Sequence, residues 1–289
     1  MRIRVAHETI YTYDRSAAYA IQTLRLTPRS HHGQFVCNWR IDVDADCRMD
    51  RDEDSFGNVT HTYTVDGPFD RLRVHAEGEV ETEDTNGLVR DTVERLPVAF
   101  YLRGTELTAA DAAIRSFAQE LSAGEGGDTL ATLHAMQREL HRIMRFDVEA
   151  TSSATTAAEA FHARHGVCQD FAHIFVAGAR FLSIPARYVG GYLLRGDGQV
   201  SQEAGHAWAE AMVPTLGWIG FDPANGTCVT DHHVRVAAGL DYLGAAPVRG
   251  ARTGGIGEHL AVKVVVERST GRTQLAPGAT GPRLPAAKS

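Results

Sequence analysis

Between Arg2 and Glu83 apolar and polar residues alternate in short runs, IRVAHETIYTY, FVCNWRIDVDA, VTHTYTV and LRVHAEGEVET, broken by turn formers at Ser55-Phe56-Gly57-Asn58 and Asp66-Gly67-Pro68. A period of two puts every second side chain on one face of an extended chain, so the pattern predicts β-strands gathered into a small β-sandwich. Glu83-Asp84-Thr85-Asn86-Gly87 marks a turn, and the segment to about Pro97 reads as a linker, which closes a first unit at 1–97.

The period then changes. LTAADAAIRSFAQELSAG offers Thr108 as an N-cap, Ala112, Phe117 and Leu121 for an inner face, and Gly124 past the end. DTLATLHAMQRELHRIMRF repeats this with Asp128 as cap and a stripe of Leu130, Leu133, Met136, Leu140 and Ile143 at helical spacing. Thr156-Ala157-Ala158-Glu159 is a capping-box sequence, predicting a short third helix that runs to about Arg164 and ends at Gly166. QDFAHIFVAGARFL keeps Phe171, Ile174, Phe175 and Leu182 at helical spacing, and Pro185 stops it. RYVGGYLL, HAWAEAMV, GWIGFD and HLAVKVVVE are strand-like, so 98–268 is expected to form an α+β unit. The segment 269–289, rich in Gly, Pro, Ala and Thr, has nothing to bury and is expected to be a disordered tail.

Composition narrows the class without naming a function. With 43% apolar and 22% charged residues the chain reads as a soluble globular protein, and a net charge of −7 argues against nucleic acid as a partner. The start MRIRVAHETIYTYD has no apolar signal core, and no run is long enough to span a membrane, so a cytoplasmic location without membrane attachment is expected. Four cysteines, Cys37, Cys47, Cys168 and Cys228, are too few for a disulfide framework and show no CxxC pair. Reduced thiols and no cofactor are the expectation.

One thiol has an unusual setting. In RHGVCQDFAH, Cys168 falls between a glycine and an apolar helical run. A cysteine at a helix N-terminus faces unpaired N–H groups and the positive end of the dipole, which favour a thiolate nucleophile, and the same N–H groups can receive an oxyanion. His162, His165, Cys168 and His173 give HxxHxxCxxxxH, but that spacing crosses a helix end, a glycine break and a new helix. Four such side chains diverge, so no metal site is expected.

A nucleophile needs a base, and GHAWAE supplies His206 at the start of a strand. Alternation puts His206, Trp208, Glu210 and Met212 on one face. If a five-residue turn, Val213 to Gly217, joins this strand to GWIGFD, Met212 faces Trp218 and Asp222 falls on the His206 face; a four-residue turn sends Asp222 to the other. Both turns are common, and only the chemistry selects the first.

These residues carry a resemblance. GVCQDFAH, GHAWAE and GWIGFDPANG resemble the three core motifs of the transglutaminase-like superfamily, whose Cys-His-Asp arrangement is shared with papain-like enzymes. LRLTPR with Gly33-Gln34, DSFGN at 54–58 and VAAGLDYLGAAPVRG resemble the bacterial subfamily with an N-terminal β domain. The resemblance implies Cys168 as nucleophile, His206 as base and acid, and Asp222 as its orienter, acting on amide bonds of a peptide or protein substrate. It implies hydrolysis of the acyl-enzyme, the reading favoured here, or transfer of a glutamine acyl group to an amine, with a non-catalytic peptide-binding module as the rival from another class. The upstream tryptophan that serves animal members as an oxyanion donor has no counterpart here, which leaves Gln169 as a candidate donor and Trp208 as a candidate for the substrate groove. No calcium loop of the DxDxDG type is present. Asp231, His232 and His233 read as a solvated loop.

Overall fold

The computed structural model describes residues 1–269, so all of the expected tail except Ser269 lies outside the described residues. Strand β1 (Arg2–Thr27) and strand β4 (Val59–Thr82) are long antiparallel partners of 26 and 24 residues. The shorter β2 (Gln34–Val43) and β3 (Met49–Glu53) pair with the two halves of β4. Register shifts between Thr12 and Tyr19 interrupt the β1–β4 ladder. Such irregularities bend a sheet, and here both halves contribute to one core, with Leu24 and Tyr63 in the same cluster as Leu72, Val74 and Ala76.

Short β5 (Leu88–Val89) and two 3-10 turns lead to helix α1 (Ala112–Gly124) and helix α2 (Thr129–Ile143). Asp128 caps α2 as expected, but α1 is capped by Asp111, which accepts from the Ile114 N–H at 2.9 Å. Thr108 instead lies in the preceding 3-10 turn, buried, accepting from Arg180 at 2.8 Å. Strand β6 (Arg145–Phe146), α3 (Ala157–Ala163) and β7 (His165–Gly166) follow, with β6 and β7 parallel. Thr156 and Glu159 form the reciprocal capping box, and α3 ends on Arg164 in the left-handed region (φ 60°), not on Gly166.

Next come α4 (Cys168–Phe181), β8 (Ala186–Leu193), β9 (Ser201–Gln202), β10 (His206–Val213), β11 (Gly217–Asp222), β12 (Thr227–Cys228) and β13 (His233–Gly239). The second sheet has the order β12-β11-β10-β8-β13, with β5 on β11. Ala209, Ala211, Ile219 and Phe221 pack with Phe171, Ile174 and Phe175 of α4, which places this helix on one face. The opposite face holds Trp208 with Val189 and Ala238, and a buried ionic group in which Arg187 and Arg235 both bond Glu210, at 2.6 and 2.7 Å.

After α5 (Tyr242–Ala245) the chain returns to the first sheet. Strand β14 (Val248–Gly254) pairs with Ala17–Leu24, and β15 (Glu258–Arg268) pairs with Ile3–Tyr13. Residues 248–268, expected with the second unit, therefore complete the first sheet; the alternation in HLAVKVVVE buries Val264 and Val266 in one cluster with Ile3 and Val5. That cluster also takes in Tyr188, Tyr192 and Val234 of the second sheet, so the two cores are continuous. Two side-chain amides strengthen the joint. Gln34 bonds both the N–H and the carbonyl of Arg235 at 2.7 and 2.9 Å, and Asn58 does the same for Ala238 at 2.8 and 2.7 Å, each imitating a neighbouring strand.

Candidate active site

The position of Cys168 follows from its neighbours. Val167 is extended (φ −101°, ψ 175°) and its N–H donates to Asp170 Oδ2 at 2.8 Å, closing the first turn of α4. The same oxygen accepts from the Thr151 hydroxyl at 2.6 Å, tying in the 147–155 segment. A Cβ on Gly166 would stand 2.5 Å from that carboxylate oxygen, so only glycine leaves room for the cap. Burial raises the Asp170 carboxyl above the ordinary range, and the Thr151 and Val167 donors oppose it. Asp170 thus serves its own helix.

His206 opens β10 and Asp222 closes β11. In the ladder between them Met212 pairs with Trp218, Val213 with Gly217 and Ala209 with Phe221. The connection closes through positive φ at Thr215 (69°) and Gly217 (95°). This register brings the His206 Nε2–H to Asp222 Oδ2 at 2.7 Å. With Nε2 engaged, Nδ1 is the nitrogen left for Cys168, which is near enough to the imidazole to favour its charged form. Burial alone would discharge His206, but Asp222 and then Cys168 outweigh it and raise the imidazole well above its ordinary value. Burial likewise opposes the charge on Asp222, and His206 together with a second histidine holds its carboxyl far below the usual range.

That second histidine is His233. It is buried at the start of β13, so the expectation of a solvated loop does not hold for it. Its Nδ1 accepts the Thr230 N–H at 3.1 Å, and its Nε2 lies 3.1 Å from Asp222 Oδ2. Asn225 completes the shell, donating its side-chain amide to Oδ2 at 2.7 Å and its backbone N–H to Oδ1 at 3.2 Å. The sequence pattern assigns neither residue a place at the site. The signal for Asn225 was the turn in FDPANG; for His233 it was the strand-like run HVRVAAG directly behind it.

The remaining candidates are placed differently. Gln169 donates to the Ser153 carbonyl at 3.4 Å, toward the 147–155 segment. Trp208 is only 1% exposed, so it cannot line a groove; it packs beneath the imidazoles, its ring centroid 6.1 Å from His206 and 5.3 Å from His233. His162 meets Asp111 at 2.7 Å, His165 lies 3.7 Å from Asp147, and His173 accepts the Tyr242 N–H at 3.0 Å. Their partners differ and their side chains diverge.

Among the described residues, His206, Asp222 and His233 are the group with donor atoms close enough to hold a metal ion, all within 4.8 Å of one another. The contacts are those of shared protons. Tetrahedral ligands at zinc distances stand ~3.3 Å apart, whereas Asp222 Oδ2 lies 2.7 and 3.1 Å from the two imidazole nitrogens.

The chain matches the bacterial transglutaminase-like N-terminal region over residues 3–81 and the transglutaminase-like superfamily over residues 115–223. It belongs to the transglutaminase-like superfamily. Among its relatives, the uncharacterized protein ML0607 of Mycobacterium leprae is 29% identical over 281 residues, covering 92% of this chain and 99% of that one. The uncharacterized protein Rv2569c of Mycobacterium tuberculosis is 27% identical over 283 residues, covering 86% and 87%. The fold is shared with a candidate cysteine protease from Cytophaga hutchinsonii, at 18% identity and a TM-score of 0.68, over 97% of this chain and 94% of that one. The superfamily is one of thiol enzymes. Among the described residues, no helix is long and apolar enough to cross a membrane.

Proposed function

We propose that the protein is a thiol hydrolase that cleaves amide bonds of peptides or proteins through an acyl-enzyme on Cys168. The observation that carries this reading is the set of Cys168 at the first residue of α4, His206 close enough for the thiol to favour its charge, and Asp222 at 2.7 Å behind the imidazole. The Cys168 sulfur attacks the substrate carbonyl carbon while N–H groups at the helix start face the oxyanion. The His206 cation gives its proton to the leaving nitrogen, the C–N bond breaks, and an amine departs, leaving a thioester. His206 then takes a proton from water, the hydroxide attacks the thioester, and collapse releases the carboxylic acid and the thiolate. Asp222 holds the tautomer and faces the positive charge throughout.

Hydrolysis is favoured over amine transfer because the walls of an amine channel are missing from the strands that carry the site. Trp208 and Trp218 are both buried, so neither offers an aromatic surface to an incoming lysine. Water at ~55 M needs no such channel and competes at any open thioester. Incubation with a mixed peptide library and a primary-amine probe, with Cys168→Ala as control, is expected to give cleavage products by mass spectrometry. Amine incorporation at glutamine with little cleavage would overturn the choice.

A further inference from the structure

Asp222 Oδ2 is shared by two imidazoles, and the proposed chemistry uses one of them. The Thr230 N–H can only donate, so His233 Nδ1 at 3.1 Å from it must accept, which puts the ring proton on Nε2. That proton has one acceptor within reach, Asp222 Oδ2 at 3.1 Å. The His233 ring is fixed by its backbone partner and by edge-to-face packing on Trp208 at 5.3 Å, and it stands 5.9 Å from the His206 ring. The carboxylate is therefore gripped between a fixed donor and the working histidine. Asn225 also bonds this carboxylate, but it sits on the loop after β11, whereas His233 belongs to a strand of the sheet.

We infer that His233 is a positioning residue, which locks Asp222 in the rotamer that bonds His206 by donating its Nε2–H to the same carboxylate oxygen. The inference rests on the thiol-enzyme reading above. Without this donor the carboxylate is held only by Asn225, which stands on a loop, so Asp222 gains freedom to rotate and the His206 proton loses its line to Oδ2. The step most exposed to that loss is deacylation, in which His206 must take a proton from water while its other nitrogen stays aligned.

The test is stopped-flow hydrolysis of p-nitrophenyl acetate, which separates the acylation burst from deacylation. His233→Phe keeps a flat ring and removes the donor; deacylation is expected to slow about tenfold, the effect of one charge-assisted hydrogen bond, with KM little changed. His233→Gln, whose amide reaches the Nε2 position, should stay within about threefold of wild type, while His233→Asn, which reaches only the Nδ1 position, should behave like His233→Phe. In an Asp222→Asn background His233→Phe should have no further effect, because the two act as one unit. Multiplying effects in the double variant, or a folded His233→Phe with wild-type deacylation, would overturn the inference. If His233→Phe does not fold, equal rates for His233→Gln and His233→Asn would overturn it. Absence of a Cys168-dependent burst in the wild type is a separate result, which removes the thiol-enzyme reading and this inference with it.

Discussion

Met212 stands directly opposite Trp218 in the β10–β11 ladder, and this one pairing decides the face from which Asp222 emerges. A slip of one residue would send every β11 side chain to the opposite face and place Asp222 against α4, away from His206. The charged pair that results has a defined pH window. Asp222 is held below the usual carboxylate range, so its contribution is present above ~4 and is lost as the pH falls. His206 is raised, so its contribution is complete below ~6.5 and is lost as the pH climbs through its raised folded value. The difference in unfolding free energy between wild type and Asp222→Asn is expected to peak between those limits in urea titrations across pH. A difference that grew from neutral toward alkaline pH would contradict the ion pair.

Gly166→Ala tests how the nucleophile is seated. A Cβ there meets Asp170 Oδ2 at 2.5 Å, so the cap on Val167 must open. Stability should fall by ~1–3 kcal/mol, and alkylation of Cys168 by iodoacetamide, followed by peptide mapping, should slow in the folded variant. Unchanged labelling would show that the cap does not place the sulfur.

Glu210 separates stability from chemistry. It is fully buried between Arg187 and Arg235, and the charges of these two arginines hold its carboxyl low against the opposing effect of burial. Glu210→Ala leaves two guanidinium groups without their shared partner, and a loss of ~3–5 kcal/mol in chemical denaturation is expected. Labelling of Cys168 in the remaining folded protein should match wild type, since Glu210 bonds neither Cys168 nor His206.

The first sheet is completed from the far end of the chain, because β14 and β15 both pair with β1. A fragment of residues 1–97 therefore exposes one whole edge of β1 together with Ile3 and Val5. Expressed alone it should be insoluble or lack a cooperative thermal transition by circular dichroism, whereas the full chain should unfold in one step. A soluble, cooperatively folding fragment would contradict the shared core.

Local pattern carried much of this architecture. The period-two runs marked the strands, Asp128 and Thr156 marked two helix starts, and the five-residue turn that chemistry selected is the register observed. What escaped were long-range pairings. Nothing in HLAVKVVVE says whether it joins the nearest sheet or returns to β1, since its alternation suits either. His233 looked like loop because a single histidine after a turn gives no sign of burial; only the pairing of β13 with β8 carries it under Asp222. Strand position makes Trp208 a groove candidate, and the packing of Val189 and Ala238 around it buries it instead.

The account stands most directly on the covalent intermediate. Wild-type protein mixed with an activated acyl substrate, quenched in acid within milliseconds and analysed by intact-mass and peptide-mapping mass spectrometry, should carry one acyl group on the peptide containing Cys168, and His206→Ala should accumulate it far more slowly. Hydrolysis that persists in Cys168→Ala, or an acyl group found on another residue, would contradict the assignment of Cys168 as the nucleophile.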